Sequence, residues 1–133
     1  MRDVYSGYSK VLGEEHEVTL TTGSNYASSL VSLQRFEEAK LLMRKSLPVA
    51  RRVLGDSNDV TLRMRSIYAT ALYKADGATL GDLREAVATY EETTRTARRV
   101  LGGTHPLTSA MEVDLQKARA ALRARETPPP RSA

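Results

Sequence analysis

The chain has 133 residues, a 41% hydrophobic fraction, no cysteine, and a formal charge of +4 from 20 basic and 16 acidic residues. That size fits one domain or a short piece of a longer array, and the lack of cysteine excludes a disulfide framework and thiolate metal sites. No run approaches the roughly 20 apolar residues of a membrane span. The start, Met1-Arg2-Asp3-Val4-Tyr5, lacks the apolar core of a secretory leader, so the expectation is a soluble, cytoplasmic protein.

One phenylalanine and six tyrosines are the only aromatics, so alanine must supply much of the close packing. The phrase Val11-Leu12-Gly13 returns 42 positions later as Val53-Leu54-Gly55, and Tyr26-Ala27-x-x-Leu30 returns at the same offset as Tyr68-Ala69-x-x-Leu72. A third copy, Val100-Leu101-Gly102, follows after 47 positions, and one five-residue insert within 75–82 restores the register. A sustained period of this length marks a repeat architecture.

Taken in chain order, residues 2–12 align with 44–54, so 1–13 read as the second helix of a preceding repeat, as at the end of a longer array. Its apolar Val4, Tyr5, Tyr8 and Val11 predict self-association through this end, or shielding by upstream repeats. Residues 14–55 form the first full unit. Leu20, Tyr26, Ala27, Leu30 and Leu33 recur at helical spacing, then Phe36, Ala39, Met43, Leu47, Ala50 and Leu54 do so in steps of three and four. Pro48 falls inside that second stripe and predicts a kink at Leu47 in a helix that continues. Residues 56–102 repeat the pattern with Met64, Tyr68, Ala71 and Leu72, then Leu83, Ala86, Tyr90, Ala97 and Leu101. The insert, with Gly77 and Gly81, predicts an exposed loop.

A last helix within 103–126 carries Leu107, Met111, Leu115, Ala118 and Leu122 and reads as a C-terminal cap. Glycines 13, 55 and 102 suit helix C-terminal caps. Asn58 is an N-cap candidate, His16 and His105 hold the same place in their repeats, and Pro106 suits a first helical position. The Pro-rich tail, 127–133, predicts disorder. No stretch alternates at period two, so the expected fold is all-α.

The order Tyr26, Ala27, Leu30, Ala39, Met43, repeated as Tyr68, Ala69, Leu72, Ala86, Tyr90, resembles the tetratricopeptide repeat pattern. The 42-residue period and the boundary phrase Leu101-Gly102-Gly103-Thr104-His105-Pro106-Leu107-Thr108 resemble the kinesin light chain-like branch. Gly23 and Arg65 depart from the pattern, standing where it prefers a large aromatic. Ser24-Asn25 and Ser66-Ile67 stand where that branch often has two asparagines. The resemblance implies antiparallel helix pairs stacked into a right-handed superhelical solenoid. It also implies a concave groove, lined by the first helix of each pair, that holds a peptide or partner segment. On those helices the groove positions are Thr21, Ser24, Asn25, Ser28 and Ser32, then Arg63, Ser66, Ile67, Thr70 and Lys74, then Asp114 and Lys117. Asn25 can both donate to and accept from a peptide backbone, and the excess of cations predicts a protein or peptide ligand with acidic residues.

Catalytic chemistry finds no foothold. The histidines sit in different units, a poor arrangement for one metal site. The pairs Glu14-Glu15, Glu37-Glu38 and Glu91-Glu92 read as solvated surface. Gly77 and Gly81 lack the Gly-Lys-Ser/Thr ending of a phosphate loop. No cofactor is called for. The leading expectation is a non-enzymatic interaction scaffold. A basic module binding nucleic acid is the weaker alternative, with salt-sensitive binding as its mark. A regulatory fragment of a larger enzyme or sensor is the third.

Overall fold

A computed structural model describes residues 2–127 and contains six α-helices. They are α1 (Arg2–Leu12), α2 (Glu17–Ser32), α3 (Phe36–Val53), α4 (Asp59–Lys74), α5 (Leu80–Leu101) and α6 (Pro106–Glu126). There is no strand among the described residues, and no described helix is long and apolar enough to cross a membrane. The expected disorder of 128–133 lies outside the described residues.

Each helix packs on the next, and α2 also packs on α4 and α4 on α6. Helices α1, α3 and α5 meet only their sequence neighbours at backbone distance. One layer is therefore tighter than the other, and a stack built this way curves with α2, α4 and α6 on its inner side. Alanines make the close approaches. Ala27, Ala39, Ala50, Ala69, Ala71, Ala86, Ala97 and Ala118 are fully buried beside Met43, Met64, Leu72 and Tyr90.

The repeat boundary is built three times in the same way. Gly13, Gly55 and Gly102 all have φ near +90°, a conformation that costs other L-residues about 1–2 kcal/mol. Three residues later comes a helix N-cap. The His16 Nδ1, Asn58 Oδ1 and His105 Nδ1 atoms accept from the backbone N–H groups of Val18, Val60 and Leu107 at 3.1, 2.9 and 3.1 Å. Histidine and asparagine thus do one job, which explains why they interchange in this register.

Within a repeat the turn is different. Gln34 takes a positive φ of 61°, and Arg35 donates its N–H to Leu30 O at 2.8 Å, which satisfies an otherwise orphan carbonyl. Helix α3 runs through Pro48, whose side chain is exposed and whose missing N–H leaves Arg44 O without that partner.

The insert corrects the expectation of an exposed loop over 75–82. Thr79 Oγ1 accepts from the Asp82 N–H and the Asp82 carboxylate accepts from the Thr79 N–H, both at 3.0 Å. This capping box starts α5 at Leu80, three residues ahead of Leu83, the counterpart of Phe36. The loop is only 75–79, and Ala78 within it is buried. The longer α6 covers it: Arg125 Nη1 donates to Ala78 O at 2.8 Å, and Arg84 approaches Glu126 at 3.4 Å.

The two departures from the repeat pattern also have physical partners. A Cβ on Gly23 would lie 3.0 Å from Tyr5 Cε1, so the aromatic missing from α2 is supplied by α1. Arg65 is 4% exposed and meets Glu92 of α5 at 3.1 Å.

Candidate functional site

The inner layer carries the expected groove residues at helical spacing. On α2, Asn25, Ser28 and Ser32 are exposed and Thr21 is half-buried. On α4, Arg63 and Lys74 are exposed, with Ser66 and Ile67 half-buried between them. On α6, Lys117 is exposed beside half-buried Asp114. Two of the expected residues turn inward. Ser24 is buried, and Thr70 Oγ1 donates to Ser66 O at 2.9 Å and contacts the Tyr90 hydroxyl. Helix packing claims both, so neither presents a polar group to a ligand.

Between α4 and α6 the layer holds a feature that the repeat pattern hides. The Tyr73 ring packs edge-on to Tyr90, with centroids 6.0 Å apart, and the Lys74 ammonium lies 5.9 Å from the Tyr73 centroid. Burial pushes the Tyr73 hydroxyl up to about 12, with Asp114 adding to the shift. The buried Tyr73 Oη has no hydrogen-bond partner within the described residues. Burial likewise raises the pKa of Asp114, while Lys74 and Lys117 pull it back. The result is a partly desolvated acid flanked by two cations and a phenol. Sequence reasoning missed Tyr73: it shares a helical face with Ser66 and Thr70, but its repeat counterparts, Val31 and Ala120, gave no signal for it.

Much of the positive charge elsewhere is paired. Arg51 reaches Asp56 at 2.7 Å and Arg52 reaches Glu15 at 2.6 Å. These arginines sit in the last turn of α3, where cations also favour the negative end of the helix dipole. Pairing with Arg51 holds the Asp56 carboxyl below its usual range. The two histidines are N-caps in different units, and no group of three or more metal-ligating side chains occurs among the described residues.

An all-helical stack of antiparallel pairs, with a polar inner layer and apolar seams between pairs, defines a helix-pair solenoid. A family model, the tetratricopeptide repeat, matches residues 19–59 and 78–107, more than half of the chain. The chain belongs to the tetratricopeptide repeat family. No curated protein and no solved structure matches it.

Proposed function

We propose that the protein is an interaction scaffold that holds an extended, acidic segment of a partner across α2, α4 and α6. Repeats of this family generally mediate protein–protein interaction, and such modules are typically not enzymes. The observation that carries the finer reading is the inner face itself. Arg63, Lys74 and Lys117 present there against one acid, Asp114, with Asn25 exposed on the neighbouring inner helix. Asn25 would hold the ligand backbone, and its carboxylates would meet Arg63 or Lys74. Charge-assisted hydrogen bonds of this kind are worth about 1.5–3 kcal/mol when shielded, and less at an exposed rim.

Affinity capture from native extract, with Arg63→Glu as control, identifies the partner. Arg63→Glu should then weaken binding tenfold or more, while Arg123→Glu, near the end of α6, should change little at matched salt. Equal affinities would remove the groove and shift attention to the outer surface.

The kinesin light chain-like type is part of the same proposal, supported by the 42-residue offset and by the Gly-x-x-His boundaries at 13–16 and 102–105. Self-association through α1 is supported by its apolar face, where Val4 is 50% and Val11 82% exposed.

A further inference from the structure

The stack contains its own example of how a helix seats on the pair before it. Helix α5 lies against α4, and its Glu92 reaches Arg65 on α4 at 3.1 Å and Arg51 on α3 at 3.8 Å. On α4 the positions under that helix, Leu62, Arg65, Ala69 and Leu72, are all nearly inaccessible. Forty-seven residues on, the same positions of α6 are Ser109, Glu112, Gln116 and Arg119, and the counterpart of Arg51 is Arg98. No described helix covers them. They line an open cleft of about 860 Å³ between α5 and α6.

Two features set that cleft apart from its counterpart one repeat earlier. The position of α6 equivalent to Lys74, where α4 ends and the chain turns back, is 121, yet α6 continues to Glu126. Its last turn is tied to the 75–79 loop through Arg125 and Ala78 O, so it does not fold back over the cleft. The floor is also polar where the equivalent α4 floor is apolar: Gln116 and Arg119 replace Ala69 and Leu72. A further apolar repeat helix would bury those groups without partners, at a cost.

The charge in the cleft selects a different occupant. Its arginines are 95, 98, 99 and 119, against Glu91 and Glu112. Both glutamates are already engaged, Glu112 by Arg98 and Glu91 by Arg119 at 3.5 Å. Arg95 and Arg99 make no ion pair among the described residues. Thr94, 4% exposed, lines the same cleft with its buried hydroxyl oxygen unpartnered, and Val113 adds an apolar strip that is 54% exposed.

We infer that this end cleft docks an acidic amphipathic helix of a partner protein. The helix takes the place that α5 takes on α3 and α4, but its carboxylates meet Arg95 and Arg99, because the counterparts of Arg51 and Arg65 are Arg98 and Glu112, which already pair with each other. The surface is distinct from the inner face of α2, α4 and α6, so one chain can hold two segments at once.

The test uses a fluorescein-labelled, alanine-based peptide of about 20 residues, long enough to be helical when docked. It carries glutamates along one stripe and leucines beside it. A second peptide has lysines in place of the glutamates, and binding to the full chain is read by anisotropy. The acidic peptide should bind and the basic one should not. Arg95→Glu/Arg99→Glu should weaken binding at least tenfold, and so should Gln116→Glu on the floor. Arg63→Glu should leave it unchanged, which separates this surface from the groove. Circular dichroism should show that the variants keep their helicity, since all three positions are exposed. Failure of the acidic peptide to bind overturns the inference, as does equal binding of the basic one. Loss of binding only in Arg63→Glu also overturns it. Displacement of the peptide by a single-stranded RNA of equal charge at equal concentration would assign the arginines to nucleic acid instead.

Discussion

Burial raises the pKa of Asp114 above that of a free aspartate, and the neighbouring Lys74 and Lys117 offset only part of the effect. The folded protein therefore binds this proton more tightly than the unfolded chain does. Stability from this group rises as pH falls through the raised folded value, and the ionised carboxylate is a liability at neutral pH. Asp114→Asn should accordingly raise the melting temperature at neutral pH. The gain should fade on acidification and vanish below about pH 4, where the unfolded aspartate is protonated too. Thermal melts over that range decide it, since a gain independent of pH would trace to packing and not to charge. A half-buried acid kept at a cost in stability fits a residue reserved for a ligand cation or for setting the groove's potential. Asp114 could be read from the sequence as part of the inner stripe of a repeated helix, although it is half-buried there. Tyr73 could not, because its counterparts are Val31 and Ala120 and the repeat register gives it no weight. The inward turn of Ser24 and Thr70 was equally hidden, since a small hydroxyl residue suits a helix seam as well as a surface.

At the scale of the helix, α1 and the insert carry the lessons. In α3 the counterparts of Val4 and Tyr8 are Ser46 and Ala50, which are buried, and in α5 they are Thr93 and Ala97, also buried. On α1 Val4 and Tyr8 are 50% and 39% exposed, and Leu12 is 40% exposed. Gly7 sits between them, with nothing within 4 Å of an added Cβ. Under the proposed self-association, an open glycine beside a tyrosine and two valines would let Tyr8 of one copy fill the space over Gly7 of another. Sedimentation at rising concentration should show a dimer, and Tyr8→Lys should return it to monomer. A monomer at all concentrations would leave this face to another occupant. The six helices themselves were readable because period, glycine stops and cap residues agree at each boundary. The insert was misjudged because its two glycines were weighed as breakers, while Thr79 and Asp82 form a capping box. That cap allows Gly81 to sit in the first turn of α5, where a glycine costs little. The turn at Gln34 gave no signal at all, since a glutamine at positive φ is not a sequence motif.

Across the whole molecule, each unit touches only its neighbours, so the stability of the stack depends on how well adjacent pairs are joined. Most of that joint is apolar and spread over many alanine contacts, which no single polar group controls. One exception is the chain of charges Asp56, Arg51, Glu92 and Arg65, which crosses α3, α4 and α5. Arg65 is 4% exposed and depends on Glu92, whereas the Glu92 side chain is 60% exposed and keeps much of its hydration. Removing the acid strands a buried guanidinium, and removing both ends does not. Glu92→Ala should therefore destabilise the fold by roughly 1–3 kcal/mol, the range for a buried charged donor that loses its partner at a partly solvated site. Arg65→Met, with a flexible apolar side chain of similar reach, should cost less, because methionine adapts to irregular core space. In the Arg65→Met background, Glu92→Ala should then be nearly neutral. Urea denaturation of the four proteins in this cycle measures the coupling directly. If Glu92→Ala costs as much beside Met as beside Arg, the charge chain does not join the units and the alanine seams hold them alone. If the coupling is large, the same logic bears on the end cleft. There Arg98 and Glu112 occupy the equivalent positions and already pair with each other, so the carboxylates of an incoming helix would have to meet Arg95 and Arg99 instead.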